Sequence, residues 1–356
     1  MAKNDQAGSY KKNDIVRLEI TDMSTEGMGV GKADGYTLFV KDAITGDVID
    51  ARITKAGKSY GYGRLESIIS PSPDRTEPEC PYARQCGGCQ LQAMSYDAQI
   101  KYKTGKVRND LIRIGGFDPE LIDAIMEPVI GMEDPWRYRN KAQYPVGTDR
   151  NGDPVAGFYA GRTHNIISNT DCMLGIPENR EILEIILDHM KKYNIPAYDD
   201  GITLNSRTSA NNRNRYGKRK IRGMKSGNIK EAGVMIRHIL IRKGFHTGEI
   251  MVCLVILCNN MDKSCPKNEA AEETELMESS GGEYKTGSRM AVYINGQNEL
   301  IERLVRIEGI RSISVNINNK NTNVIMGKET HTLWGSDRIS DVLLGKKFEI
   351  SPLSFY

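Results

Sequence analysis

The chain has 356 residues, 39% of them hydrophobic and 27% charged, with a formal net charge of only +3. That length accommodates two or three separate cores, and that composition is ordinary for a soluble globular protein rather than for a chain basic throughout. No apolar run is long enough to cross a bilayer, and the start, MAKNDQAGSYKKND, lacks the apolar stretch of a signal peptide, which points to the cytoplasm. In that reducing compartment the seven cysteines read as ligands, nucleophiles or core residues rather than disulfides.

Residues 1–12 are polar and read as a disordered tail. Residues 13–70 alternate short strand-like runs (DIVRLEI, YTLFV, DVIDARI) with glycine turns, the pattern of a small β-barrel. Residues 71–79, PSPDRTEPE, read as a linker, since proline disfavours helix and sheet alike. A central α/β domain is expected over 80–344. In it Ser95 caps a helix that runs to about Ile114, and PENREILEIILDHMKKY forms a second. RNKAQYPVG, VAGFYAG and NIISNT read as strands. VMIRHILIR and GEIMVCLVILC read as a hairpin whose second, wholly apolar strand is covered on both faces, and SISVNIN and NVIM as two strands more. Two stretches look inserted: 206–230, with nine basic residues and no acidic one, and 268–284, with six glutamates and no basic one. The first suggests a polyanion-binding face.

The stretch CPYARQCGGC carries Cys80, Cys86 and Cys89 in a C-x5-C-x2-C spacing. Three thiolates close in sequence and one remote is an iron–sulfur pattern, with zinc and unrelated thiols as the other readings. Cys253 and Cys258 lie in the apolar strand and Cys265 beside the acidic stretch. Cys172, in a loop just before a helix, is the best placed fourth ligand.

The stretch CPYARQCGGCQLQAMSYDAQIKYK resembles the cluster motif of the bacterial RNA (uracil-5-)-methyltransferases that make 5-methyluridine in 23S rRNA. EGMGVGKADGYTLFVKDAITGDVIDARI is similar to their TRAM barrel. WRYRNKAQYPVG, GFYAGRTHNIISNTDC, IRHILIRKGFHTGEIMVCLV, SVNINNKNTNVIMG and FEISPLSFY follow in the family's order. The resemblance covers residues from about 14 to 356, apart from the two inserted stretches. It implies a [4Fe–4S] cluster on Cys80, Cys86, Cys89 and Cys172, S-adenosyl-L-methionine as methyl donor, and RNA, chiefly 23S rRNA, as partner of a monomer. It also implies that Phe355 sits beside the target base.

The family continues past SPxSF into a Rossmann-like cofactor domain, of which residues 345–356 read as the start. The expected fold is therefore mixed α/β: an N-terminal OB-like TRAM barrel, an α+β central domain with an iron–sulfur cluster, and a Rossmann-like methyltransferase domain essentially absent. On that reading the chain is a fragment, inactive alone, with no catalytic residue of its own. A tRNA substrate, or an iron–sulfur RNA-binding module without catalysis, is the alternative. Arg137, Arg139 and Lys141 alternate, so a strand puts them on one face toward phosphates. Tyr138 reads equally as a packing residue or an RNA contact, whereas for Phe158 core packing and for His164 a structural role is the preferred reading over RNA contact.

Overall fold

The computed structural model describes residues 10–161, 163–198, 234–258, 293–322 and 324–355. The inserted stretches 206–230 and 268–284, and Cys265, lie outside the described residues. The chain forms two compact units, residues 1–134 with 160–163 and residues 135–159 with 164–356.

In the first unit five strands close into a barrel in the order β1-β2-β3-β5-β4. They are β1 (Ile15–Met23), β2 (Gly29–Ala33), β3 (Tyr36–Lys41), β4 (Val48–Ala56) and β5 (Tyr60–Ser70). Successive residues of a strand point to opposite sides, so one alternating set fills the lumen: Val16, Leu18 and Ile20; Leu38 and Val40; Ile49, Ala51 and Ile53. The β3–β5 pair is parallel and the other pairs are antiparallel.

The proline-rich stretch after β5 is not the boundary between units; it is clamped to the barrel. Asp47, fully buried, accepts from Arg75 Nε at 2.9 Å and Nη2 at 2.5 Å. It also accepts from the backbone N–H of Ser72 at 3.0 Å and of Ile44 at 2.8 Å. Burial alone pushes the Asp47 carboxyl up. The Arg75 guanidinium and the two backbone donors outweigh burial and hold it below its ordinary value. Beyond this clamp Thr76 N–H donates to the Ala93 carbonyl at 3.0 Å, and Met23, Ile44, Ala93, Met94 and Ala98 share a small core. The cysteine stretch is thus folded onto the barrel. Proline there removes amide donors, and the signal that the segment is held comes from Asp47, 28 residues from Arg75 in sequence.

α1 (Tyr96–Arg113) starts where the sequence places it, with Ser95 Oγ accepting from Ala98 N–H. α2 (Pro119–Ile125) is capped by Asp118, whose carboxylate accepts from the N–H of Glu120 and Leu121.

The second unit is built on a seven-stranded sheet in the order β12-β11-β10-β9-β6-β7-β8. Its members are β6 (Lys141–Thr148), β7 (Pro154–Tyr159), β8 (Ile166–Ser168), β9 (Val234–Lys243), β10 (Ile250–Cys258), β11 (Ile310–Ile317) and β12 (Glu329–Gly335). All nine residues of β10 are buried, as its unbroken apolar sequence requires, and β9 pairs with it antiparallel. β11 lies parallel on the other side. α3 (Glu178–Lys192) buries Ile182, Leu183, Ile186 and Met190 in the main core, and α4 (Gln297–Leu304) adds Leu300, Ile301 and Leu304. A hairpin, β13 (Ile339–Leu343) with β14 (Lys346–Ile350), contributes Ile339 and Ile350 to a small cluster with Met251.

Of NVIM, expected as a strand, the described residues Val324, Ile325 and Met326 form a loop. Asn318 Nδ2 donates to the carbonyls of Val324 at 2.7 Å and Ile325 at 2.9 Å, and Asn316 Oδ1 accepts from Gly327 N–H at 2.6 Å. Two buried asparagines on and after β11 take the hydrogen bonds a strand partner would have taken.

Candidate functional site

Cys80, Cys86 and Cys89 lie in the first unit and Cys172 in the second. Cys80 and Cys86 lie in successive tight turns: Ala83 N–H donates to the Cys80 carbonyl at 3.0 Å and Cys86 N–H to the Tyr82 carbonyl at 2.7 Å. Gly88 N–H points at Cys86 Sγ, 3.4 Å away, so the glycine spacing offers a backbone donor to sulfur. Cys86 also forms a backbone bridge with Ala160. None of the four is in a disulfide, and each is half-buried. Among the described residues no group of three or more His, Cys, Asp or Glu side chains is arranged to hold a metal ion. The donor set, four cysteine thiols outside any disulfide, matches in chemistry what an iron–sulfur cluster takes.

Cys253 is fully buried, and burial pushes its thiol up to about 12, so it is a core residue and no nucleophile. Cys258 is disulfide-bonded, against the expectation that no cysteine of this chain pairs with another.

The predicted row of cations at 137–141 is not a strand. β6 begins only at Lys141. Arg137 adopts φ 54°, which breaks the alternation. Its Nη1 donates to Asp171 at 2.6 Å and to the carbonyls of Cys172 at 3.1 Å and Gly175 at 3.3 Å. Arg137 therefore holds the 171–175 loop, and with it the backbone of Cys172. Arg139 N–H donates to the Leu174 carbonyl at 2.9 Å.

Lys141 does lie on the sheet, directly opposite Arg242 of β9. Burial, and secondarily Arg242, lower its ammonium below the ordinary value. Its Nζ stands 5.5 Å from the ring centroid of Phe355, a ring fully open to solvent. Arg242, only 4% exposed, donates through Nη2 to the carbonyls of Pro352 and Ser354. A buried guanidinium thus pins the SPLSF turn that presents Phe355. Sequence reading missed Arg242 because a charged residue in an apolar strand resembles an outward-facing one. His164 and Phe158 make ring contacts, His164 with Tyr159 at 5.7 Å and Phe158 with Tyr144 at 5.0 Å, and Phe158 packs against the main core. Tyr138 is exposed.

The strand order and register of the barrel now meet a match. Residues 11–65 match the TRAM domain. The chain as a whole is 37% identical over 347 residues to an uncharacterized RNA methyltransferase of Clostridium tetani, covering 97% of this chain and 61% of that protein. It is 37% identical over 352 residues to another from Halalkalibacterium halodurans, covering 99% of this chain and 62% of that protein. The chain thus spans 61–62% of the length of these relatives. The fold is similar to that of the Pyrococcus abyssi tRNA (uracil-54, C5)-methyltransferase solved with S-adenosyl-L-homocysteine. The TM-score is 0.55 at 20% identity, over 95% of this chain and 60% of that one.

This likeness corrects the expected fold class. A methyltransferase fold was set aside as essentially absent because no glycine-rich strand–turn–helix signature appears. Yet 95% of the chain is matched by a solved methyltransferase. The fold is carried by strand order and burial, which that signature does not report. Downstream of the TRAM barrel the chain has the fold of part of a methyltransferase. No helix among the described residues is long and apolar enough to cross a membrane.

Proposed function

We propose that the protein transfers a methyl group from S-adenosyl-L-methionine to C5 of a uridine in 23S rRNA, in the cytoplasm and as a monomer. These residues supply the grip on the RNA. The observation that carries the reading is the TRAM match at residues 11–65 joined, in one chain, to a unit whose relatives are RNA methyltransferases. The order of the motifs quoted above supports uridine C5 as the target.

The chemistry explains the need for a large RNA-binding surface. Uracil C5 is a weak nucleophile until a thiolate adds at C6, and the base must leave its stack before either atom is reached. Unstacking costs free energy that contacts to the flanking nucleotides offset. In this reading Lys141 and Arg139 meet phosphates, Phe355 lies against a base, and Arg242 fixes where Phe355 stands. Arg137 keeps the 171–175 loop in place. Cys80, Cys86, Cys89 and Cys172 hold a [4Fe–4S] cluster. Its support is the C-x5-C-x2-C spacing with a fourth free thiol, and its check is equal iron and sulfide in anaerobically purified protein, unchanged in Cys253→Ser. Stoichiometric zinc with no iron would remove the cluster from the account.

The test of the reaction is a position-resolved census of 5-methyluridine in cellular RNA with the gene present and deleted. Loss at a 23S rRNA position is the expected result. Loss confined to tRNA would move the substrate. No loss anywhere would leave a binding module without catalysis and overturn the reading.

A further inference from the structure

Three aromatic rings gather on the outside of the barrel. Phe39 of β3 lies 5.9 Å from Tyr60 and 5.6 Å from Tyr62 of β5, and the two tyrosines are 6.0 Å apart, centroid to centroid. The register explains the meeting: in the parallel β3–β5 pair Thr37 stands opposite Tyr60, Phe39 opposite Tyr62, and Lys41 opposite Arg64. Their neighbours Leu38, Val40 and Gly61 point inward and are buried. The lumen is filled without the three rings, since Leu38, Val40, Ile49, Ala51 and Ile53 are all essentially inaccessible. Packing of the barrel therefore does not account for them, and Tyr60 remains 48% exposed.

Cations surround the rings. Lys32 of β2 is opposite Thr37, Lys55 of β4 is opposite Tyr62, and the Lys41–Arg64 pair follows on the same face. Two of them have partners within the barrel unit: Lys41 Nζ donates to the Arg84 carbonyl at 3.0 Å, and Arg64 pairs with Glu66, which also takes Arg52. Like charges opposite one another across a strand pair are unfavourable. A polyanion laid over this face would relieve that repulsion, while the rings would take unpaired bases on their faces.

We propose that the outer face of β3 and β5 is a stacking platform for a single-stranded stretch of RNA. The proposal rests on the RNA-binding reading above and locates a contact that reading leaves unplaced. Base-on-ring stacking tolerates any sequence, because every base has a π face, and is lost when the ring is removed. A duplex hides its base faces and is a poor ligand for such a surface.

The experiment uses the 356-residue protein and a single-stranded oligouridylate carrying 4-thiouridine. Crosslinking to the wild-type protein should map to the peptides that hold Phe39, Tyr60 and Tyr62. The double variant Tyr60→Ala/Tyr62→Ala should bind the oligomer roughly tenfold or more weakly, and Tyr60→Phe/Tyr62→Phe should bind as wild type, since the ring and not the hydroxyl carries the contact. Crosslinks elsewhere, or an alanine variant that binds as wild type, would overturn the platform. If structured 23S rRNA fragments still bind in that case, the RNA-binding reading survives. If wild type binds neither RNA, both fail. Crosslinking needs no variant, so a misfolded mutant cannot decide the outcome.

Discussion

Asp47→Ala should destabilise the barrel unit by about 3–5 kcal/mol, the usual cost of leaving half of a buried ion pair behind. The Asp47 side chain has no exposure and Arg75 only 11%. The carboxylate gathers four donors, two from Arg75 and the N–H groups of Ser72 and Ile44. Alanine strands all four. The cysteine stretch follows directly, because Ser72 and Arg75 start the segment that leads to Cys80. Chemical denaturation followed by tyrosine fluorescence of the barrel measures the cost. The pair also gives stability a pH dependence of known sign. The folded carboxyl is held below its ordinary value, so its contribution is full above the ordinary carboxylate range. It fades as pH falls through that range toward the depressed folded value. A variant within about 1 kcal/mol of wild type, with the acid limb of its stability curve unmoved, would show that the clamp is incidental.

Gly157→Ala should cost the second unit about 3 kcal/mol or more, at the upper end for a substitution that forces backbone apart. Gly157 lies in β7 opposite Ser168 of β8, and a Cβ there would stand 1.9 Å from the Ile167 carbonyl oxygen. Asn169 N follows at 2.8 Å, and these clashing atoms are all main chain, so no side-chain rotation relieves the contact. The two strands must part at the sheet's edge, just before the segment that bridges to Cys86. Gly105→Ala is the control of opposite sign. Gly105 sits inside α1 with nothing within 4 Å of its missing Cβ. Alanine there should stabilise by about 0.5–1 kcal/mol through helix propensity and a less mobile unfolded chain. Thermal melts of the two variants read both signs. Equal melts would mean that the β7–β8 approach is looser than its register implies.

Much of this architecture was legible in the residues. Ser95 and the apolar run of β10 announced a helix start and a central strand through local chemistry, a cap and an unbroken hydrophobic stretch. The barrel strands were readable because their alternation is local too. What failed depended on distant partners. PSPDRTEPE looked like a free linker because the carboxylate that holds it lies at position 47. NVIM looked like a strand, but Asn318 takes the carbonyls of Val324 and Ile325, and Asn316 takes the amide of Gly327 just beyond. Arg137 looked like one of three cations on a strand face, but a left-handed backbone turns it toward Asp171 and the Cys172 carbonyl. The aromatic platform was missed for a related reason. Phe39, Tyr60 and Tyr62 become neighbours only through a parallel β3–β5 pairing, which neither strand's own sequence reveals.

The proposed grip on RNA runs through phosphates as well as bases. Its most direct test is the affinity of the 356-residue protein for a structured 23S rRNA fragment, titrated at rising salt. Each phosphate neutralised releases counterions, so about four to six contacts predict a slope of log affinity against log salt of roughly −3 to −5. The quadruple variant Lys32→Ser/Lys41→Ser/Arg139→Ser/Lys141→Ser should flatten that slope by about three or more. Affinity that is absent, or that does not change with salt in the wild-type protein, would contradict the account.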